Sequence, residues 1–332
     1  MKINRIETTK LDMPYKKPLV TATNNFTIAR GLLVTAVTDE GVEGYGYSDL
    51  FPRTGETPES AAHFIDVVLK PKVVDRDLDD LGRIRADIDH VLTGNPRAKA
   101  ALEGALYDAL ARSVHIPLYL LLGGRYRNDV KVIKMVSVGA PDAMAEEAKQ
   151  HVNEGMSLKL KMSGKIEVDL TRVAAVRKAV GDGVFIKVDA NEADGAKTAI
   201  RLAKGLADHG VEIFEQPVPR NQFDALWEVK KHSPVKIEAD QSVRSAADAQ
   251  LLIKNRMIDA INTGIPKVGS IGEVRKIAEL CEMNGIRCAL SNTAGSMVGD
   301  AAALHWLSAR RASRRCASSA NSKSSPAIRS SG

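Results

Sequence analysis

The sequence predicts an α/β protein in which a small α+β unit precedes a closed barrel of parallel strands. From about residue 130, seven short β-rich segments alternate with amphipathic helical segments, spaced about 22 to 28 residues apart. Repeated βα units at this spacing are typical of a parallel sheet, and seven in succession favour a barrel. A doubly wound open sheet is the alternative, but no glycine-rich phosphate loop follows the first of these segments.

The N-terminal region has a different order of strand and helix segments. Three β-rich segments come first, the last two joined by a tight Asp-Glu-Gly turn, and three helical patterns follow them. This order is typical of an α+β unit. The predicted strands are KINRIETTKL, ARGLLVTAVTD and GVEGYGYSD, and the predicted helices span 57–70, 77–92 and 96–113.

The seven segments of the barrel are each followed by an amphipathic helical pattern. A strand after the seventh is expected but is not recognisable, because residues 308–332 are low-complexity Ser, Ala and Arg without an aromatic residue. We therefore expect domains at 1–125 and 126–307 and a disordered tail at 308–332. The seven strand segments are KVIKMVSV, LKLK, VFIKVDA, VEIFEQ, VKIEAD, MIDAIN and IRCAL.

Composition and charge exclude several classes of protein. The chain has 332 residues, 44% hydrophobic and 27% charged, an ordinary globular balance. Its net charge of +6 comes from the tail, since residues 1–307 carry 41 cationic and 41 anionic side chains. That balance argues against a nucleic-acid partner.

Cysteine usage and the apolar runs point to a cytoplasmic protein without a membrane partner. The three cysteines are odd in number and form no Cys-x-x-Cys pair, so neither a disulfide framework nor a zinc site is indicated. The first residues lack the pattern of a signal peptide, and no apolar run reaches transmembrane length.

Three acidic residues stand at the carboxyl ends of neighbouring predicted strands. Asp189, Glu215 and Asp240 follow one another at steps of 26 and 25 residues, one βα repeat each. In a βα barrel these ends meet at the catalytic face, where uncompensated carboxylates repel. A hard divalent cation resolves the repulsion, so this pattern predicts a Mg²⁺ site, with Mn²⁺ as the alternative. Separate acidic residues in strand-to-helix loops are the competing interpretation.

Two lysines, Lys159 and Lys161, are spaced to share one face of the preceding strand. A lysine beside another cation has a lowered pKa, which suits a general base. A metal-bound substrate carboxylate would acidify its α-proton by stabilising the enediolate. We predict that Lys161 removes this proton and that Lys159 neutralises the carboxylate oxygen.

These motifs together resemble the mandelate racemase and muconate lactonizing enzymes of the enolase superfamily, closest to the muconate-lactonizing subgroup. The resemblance covers residues 1–307 and rests on LYLLLGG, KLK, VDAN, FEQP, EADQS and GDAAALHW. It implies an N-terminal capping domain over a modified (β/α)₇β TIM-type barrel, and Mg²⁺ on Asp189, Glu215 and Asp240. It also implies proton abstraction next to a carboxylate and a symmetric homo-oligomer.

The chain departs from this subgroup at two positions. The second catalytic lysine, expected at the end of strand six, is replaced by Gly264, and Lys267 follows three residues later. The usual glutamate after strand seven is replaced by Gly295. No histidine ends strand seven, and His305 is predicted to be a packed helix residue.

One base on one face favours a cycloisomerase or lyase of a carboxylate substrate. Racemisation or epimerisation of an N-acyl amino acid or dipeptide needs a second acid/base group, for which Lys267 is the candidate. A third hypothesis is a catalytically weak barrel that acts as a binding or oligomer component. Substrate contacts are predicted at Thr21, Asn24, Phe51, Arg53, Asn191 and Ser291, the first four in loops of the cap.

Overall fold

The computed structural model describes residues 1–21, 24–51, 54–292, 296–310 and 318–319, with backbone alone at positions 16, 17, 292, 318 and 319. It contains a three-stranded sheet and a closed barrel of eight strands. This architecture confirms the predicted α/β class, a barrel with an N-terminal α+β cap. The strands are β1 (Ile3–Val20), β2 (Asn25–Thr38), β3 (Glu43–Asp49), β4 (Ile133–Val136), β5 (Ser157–Lys161), β6 (Ile186–Asp189), β7 (Ile213–Glu215), β8 (Lys236–Ala239), β9 (Ala260–Thr263), β10 (Arg287–Asn292) and β11 (Ser318–Ser319).

The helices alternate with the barrel strands, as the sequence predicts. In the cap, the first predicted helix runs on to Val73 through a π-helical turn (Phe64–Leu69), and a 3₁₀ turn (Leu78–Asp80) precedes the second. The α-helices are α1 (Pro58–His63), α2 (Lys70–Val73), α3 (Leu81–Val91), α4 (Pro96–Ser113), α5 (Leu118–Leu121), α6 (Pro141–Asn153), α7 (Ile166–Val180), α8 (Ala196–Asp208), α9 (Phe223–His232), α10 (Ala246–Lys254), α11 (Ile265–Val268), α12 (Ile271–Met283) and α13 (Met297–Ser308).

The cap is an antiparallel sheet covered by helices. Its strands follow the order β1-β2-β3, and α4 packs across β3 and β2. Two glycines make this close approach possible, because a Cβ at Gly44 would lie 2.1 Å from the backbone nitrogen of Ala109, and one at Gly46 would lie 1.9 Å from the carbonyl oxygen of Ala101.

The barrel strands β4 to β10 correspond to the seven predicted segments. They pair in parallel in chain order, and β11 lies between β10 and β4. Ser318 pairs with both Ser291 and Ile133, so two residues close the barrel. The eighth strand, which the sequence did not reveal, thus lies within 308–332. The domain boundaries and the order of the tail stay predictions.

Separate hydrophobic cores fill the cap and the barrel, and α4 joins them. The cap core contains Leu102 and Leu106, whereas Ala100 on the same helix belongs to the barrel core. At this junction the backbone N–H of Ile271 donates to Glu103 Oε2 at 2.6 Å. In the described part of the chain, no helix is both long and apolar enough to cross a membrane.

Candidate active site

The carboxyl ends of β5, β6 and β7 place charged side chains at one level of the barrel. Lys161 is the register partner of Asp189, which in turn is the register partner of Glu215. Side chains alternate along a strand, so Lys159 and Lys161 share the inner face. Leu160 points the other way and is fully buried in the barrel core. The Lys-x-Lys pattern therefore supplies two ammonium groups to one end of the barrel.

Lys159 bridges two carboxylates. Its Nζ lies 2.9 Å from Asp189 Oδ2 and 2.7 Å from Glu215 Oε1, and both acids are fully buried. Burial alone would lower the pKa of Lys159, but the two carboxylates outweigh it and hold the pKa well above its usual value. Burial would raise the pKa of Glu215, but Lys159 and Lys187 hold it well below its usual range. Lys159 is therefore a fixed cation and Glu215 a fixed anion.

Lys161 has a different environment. Its Nζ donates to Asp189 Oδ2 at 2.6 Å and to Asn191 Oδ1 at 2.9 Å. An ammonium group has three N–H donors, so one is left without an acceptor among the described residues. Burial lowers the pKa of Lys161, Asp189 opposes this, and Lys159 lowers it further, so the pKa lies below its usual value.

Asn191 orients this lysine. Its backbone is in the left-handed region, with φ of 49°, and its N–H donates to Asp189 Oδ1 at 2.9 Å. Asparagine tolerates this conformation better than most residues. The turn after β6 thereby aims one amide oxygen and one carboxylate oxygen at the same amine.

Charged and polar side chains deeper in the barrel contact Glu215. Lys187 Nζ lies 2.7 Å from Glu215 Oε2 and 2.5 Å from Glu238 Oε2, and Asn262 Nδ2 donates to Glu215 Oε1 at 2.9 Å. Burial raises the pKa of Glu238 to about 7, against the opposing charge of Lys187 and with added repulsion from Glu215. Glu215 is thus fixed by two cations and an amide.

Asp240, directly after β8, is bound by Lys267. Lys267 Nζ donates to Asp240 Oδ1 at 2.7 Å, to the Asp240 carbonyl oxygen at 2.9 Å and to the Asn262 carbonyl oxygen at 2.5 Å. The Asp240 N–H donates to Gln216 Oε1 at 2.9 Å. All three ammonium protons of Lys267 therefore have acceptors, and Asp240 is held from α11 and from the end of β7.

Gly264 directly follows β9, at the position where the resemblance implies a lysine. A Cβ at this position would lie 2.7 Å from the carbonyl oxygen of Ser291 and 3.4 Å from its Oγ. Ser291 is itself held, because its Oγ donates to the Thr263 carbonyl oxygen at 3.0 Å. The backbone of β10 thus occupies the space that a larger side chain would need.

The three predicted metal ligands do not form a single cluster in this structure. Among the described residues, no three His, Cys, Asp or Glu side chains lie close enough together to hold a metal ion. Ammonium groups stand in for the cation instead: Lys159 on Asp189 and Glu215, and Lys267 on Asp240. The donor type fits a hard divalent cation, since all three predicted ligands are carboxylates and each already has a cationic partner. The ligand assignment stays a prediction.

A cavity of about 780 Å³ lies above these side chains, between the cap and the barrel. Its size suits a small-molecule ligand. Glu215 lies below the cavity wall, and Asn24 is outside it, with its N–H donating to Thr21 Oγ1 at 3.1 Å. Arg53 and Gly295 fall outside the described residues. The predicted residues on the wall are Thr21, Phe51, Lys159, Lys161, Asp189, Asn191, Asp240, Lys267 and Ser291.

The sequence and the structure of this chain match known proteins over most of its length. Residues 5–123 match the model of the mandelate racemase/muconate lactonizing enzyme N-terminal domain. Residues 143–325 match the model of the enolase C-terminal domain-like family. The chain belongs to the mandelate racemase/muconate lactonizing enzyme family. It is therefore an enzyme of the enolase superfamily, as the resemblance of its motifs implies.

Relatives within the family differ in reaction. An L-Ala-D/L-Glu epimerase of Bacillus subtilis (strain 168) is 35% identical over 317 residues, 94% of this chain and 86% of the epimerase. Muconate cycloisomerase 1 of Rhodococcus opacus is 32% identical over 314 residues, 92% of this chain and 84% of that enzyme. The structure of a dipeptide epimerase of Enterococcus faecalis V583, complexed with Mg and L-Leu-L-Tyr, has a TM-score of 0.90 at 32% identity, covering 96% of this chain and 90% of its own. Family membership alone thus does not fix the reaction.

Several residues of this site are not among those that the sequence predicts. Lys187 stands two residues before Asp189 on the same strand, so period-two spacing could have placed it on the inner face. Asn262 lies in β9, next to its last residue, and could have been found in the same way. Tyr15 and Arg97 reach the cavity wall from the cap, and no local pattern predicts this.

Proposed function

We propose that this enzyme removes the proton α to a substrate carboxylate with Lys161 as the single base, and acts as a cycloisomerase or lyase of the muconate-lactonizing type. The observation that carries the proposal is the asymmetry of the site. Lys161 supplies an amine from β5, whereas Gly264 directly follows β9, with the Ser291 carbonyl in the space beside it. A single base on one side of the substrate suits a reaction in which the proton and the other reacting group leave or add on that same side.

The contacts of Lys161 support its role as the base. Two of its three N–H donors are bound to Asp189 and Asn191. The third has no acceptor among the described residues, and Lys161 lies on the cavity wall. A general base must come within hydrogen-bonding distance of the proton that it removes, and Lys161 is oriented before substrate binds.

Lys159 acts as a permanent cation in this proposal. Its ion pairs with Asp189 and Glu215 keep the ammonium group charged and beside Lys161. Negative charge that develops on the carboxylate oxygens of an enediolate is stabilised by a neighbouring cation.

Asp189, Glu215 and Asp240 would hold Mg²⁺, and Mn²⁺ is the alternative. The three carboxylates, two of them fully buried, support this assignment, as does the Mg complex of the Enterococcus faecalis relative. When bound, the divalent cation would increase the acidity of the α-proton of a carboxylate substrate. Binding would require the Lys159 ammonium group to move away from Asp189 and Glu215, and the Lys267 ammonium group to release Asp240 Oδ1.

A racemase or epimerase is the second candidate, because relatives named as epimerases match this chain as well as the cycloisomerases do. It needs a second acid/base group. Lys267 is poorly placed for this task, since two of its donors are bound to the backbone carbonyl oxygens of Asp240 and Asn262, contacts that do not involve the Asp240 carboxylate. The geometry therefore supports the one-base reaction better.

Turnover in D₂O tests the proposal. A panel of muconates, acid sugars, N-acyl amino acids and dipeptides is incubated with the enzyme and magnesium chloride, and products and recovered substrates are analysed by NMR. We expect cyclised or eliminated product, or deuterium incorporation with retained configuration, and loss of both in Lys161→Met. Recovered substrate that is both deuterated and inverted would support the epimerase instead. The catalytically weak barrel predicts neither exchange nor product.

A further inference from the structure

Arg97 reaches the cavity wall from the cap. It is the second residue of α4, and its side chain is only 9% exposed. The first turn of this helix is held by Glu56, whose carboxylate accepts from the N–H groups of Arg97 and Ala98, both at 2.9 Å. The backbone that carries Arg97 is therefore fixed.

The guanidinium group of Arg97 is only partly satisfied by the protein. Its Nη1 donates to the carbonyl oxygen and to Oδ1 of Asp49, both at 2.6 Å. A guanidinium group has five N–H donors, so the three on Nε and Nη2 have no acceptor among the described residues. A cation that is held rigidly in a wall with free donors in fork geometry suits a carboxylate.

The surroundings restrict what could occupy this part of the cavity. The cap also contributes apolar side chains to the cavity wall, among them Leu19, Phe26 and Phe51, and the two phenylalanine rings lie 5.0 Å apart. The described lining of the whole cavity contains eight cationic and five anionic side chains. An anionic ligand with an apolar middle section matches both features.

We propose that Arg97 is a specificity-determining residue that binds a second, distal carboxylate of the substrate through Nε and Nη2. This inference rests on the proposed function, in which the first carboxylate binds beside Lys159 and Lys161. The preferred substrates are then dicarboxylates whose two acidic groups are joined by an apolar or unsaturated chain.

Binding of matched acids tests this inference without requiring turnover. Succinate, adipate and suberate are compared with butyrate, hexanoate and octanoate by calorimetry, in the presence of magnesium chloride. We expect at least one dicarboxylate to bind roughly tenfold to hundredfold more tightly than its monocarboxylate, the gain of a charge-assisted pair. The monoamide of adipic acid tests whether a neutral acceptor is sufficient.

A double variant isolates Arg97 while protecting the fold. Arg97→Gln alone would leave Asp49 buried without its partner, so it is combined with Asp49→Asn, which replaces the ion pair with two amides. We expect this variant to unfold at a temperature close to that of the wild type and to lose the preference for dicarboxylates. Arg244→Gln is the matched control, because it removes a cation from the same cavity wall at a side chain that is 64% exposed. It should keep the preference.

The outcomes separate this inference from the proposed function. Equal binding of mono- and dicarboxylates by the wild type, or an unchanged preference in the double variant, would overturn the role of Arg97 alone. Binding of the monoamide as tightly as adipate would overturn the assignment to a carboxylate. Failure of every acid to bind would overturn the proposed function and this inference with it.

Discussion

Lys159, Lys161 and Lys267 bring three ammonium groups to one cavity, and their hydrogen bonds give them three different roles. Lys159 is locked between two carboxylates, and Lys267 is locked onto Asp240 with all of its donors used. Lys161 differs from Lys159 because its two partners are one carboxylate and one neutral amide, and its pKa is lowered. Residue type and spacing predicted the first pair, but they could not show which of the two amines would have the lowered pKa.

At Gly264 we predict that even a methyl group destabilises the protein. The Cβ of Gly264→Ala would lie 2.7 Å from the Ser291 carbonyl oxygen, so β10 must shift. The expected loss is about 1–3 kcal/mol in the free energy of unfolding, measured with urea. Gly183→Ala is the control, because a Cβ there meets no atom within 4 Å. Equal stability of the two variants would show that the space beside β9 is open.

At the scale of elements, the strands of the barrel were predictable and its closure was not. The segments that became β4 to β10 carry buried apolar residues over four to eight positions, which is a strong local signal. β11 is two serines without any hydrophobic pattern, and only the neighbouring strands β10 and β4 select it. Similarly, the position of Arg97 on the cavity wall depends on how α4 packs against the barrel, which is a tertiary contact.

The junction of α4 with α12 should make stability depend on pH. Glu103 is buried there, and burial raises its pKa to about 7, against the opposing charge of Arg85. The folded protein therefore holds this proton at pH values where the unfolded chain has released it. Glu103 therefore contributes fully to the free energy of unfolding at pH values below the pKa that it has in the unfolded chain. This contribution is lost as the pH rises through its pKa of about 7 in the folded protein.

Glu103→Gln removes this dependence while keeping an oxygen for the Ile271 N–H. We expect the stability of the variant relative to the wild type to improve between pH 5 and pH 8, by on the order of 1–3 kcal/mol. Urea unfolding at a series of pH values measures the difference. Glu279→Gln, at an exposed position on α12, should show a constant difference. A constant difference for Glu103→Gln would mean that Glu103 is ionised throughout this range in the folded protein.

For the whole molecule, the cap and the barrel together line the cavity of about 780 Å³, and bound metal should stabilise the folded state. Magnesium chloride at about one hundred times its dissociation constant would add about 2.7 kcal/mol, or roughly 5 °C in Tm. Asp240→Asn should lose this shift, and Asp182→Asn, at an exposed loop position, should keep it. Differential scanning calorimetry at matched ionic strength measures both. A wild type that gains no stability from Mg²⁺ or Mn²⁺ would contradict the predicted ligands.

The contact of Gly264 with the Ser291 carbonyl also constrains how this enzyme could evolve. A lysine at the end of β9 cannot be accommodated while the neighbouring strand stays where it is, so a single codon change there produces a damaged protein before it produces a new activity. The backbone at Ser291 therefore has to move before, or together with, the introduction of a side chain at position 264. Laboratory evolution towards inversion chemistry should therefore begin with Ser291 and the residues around it.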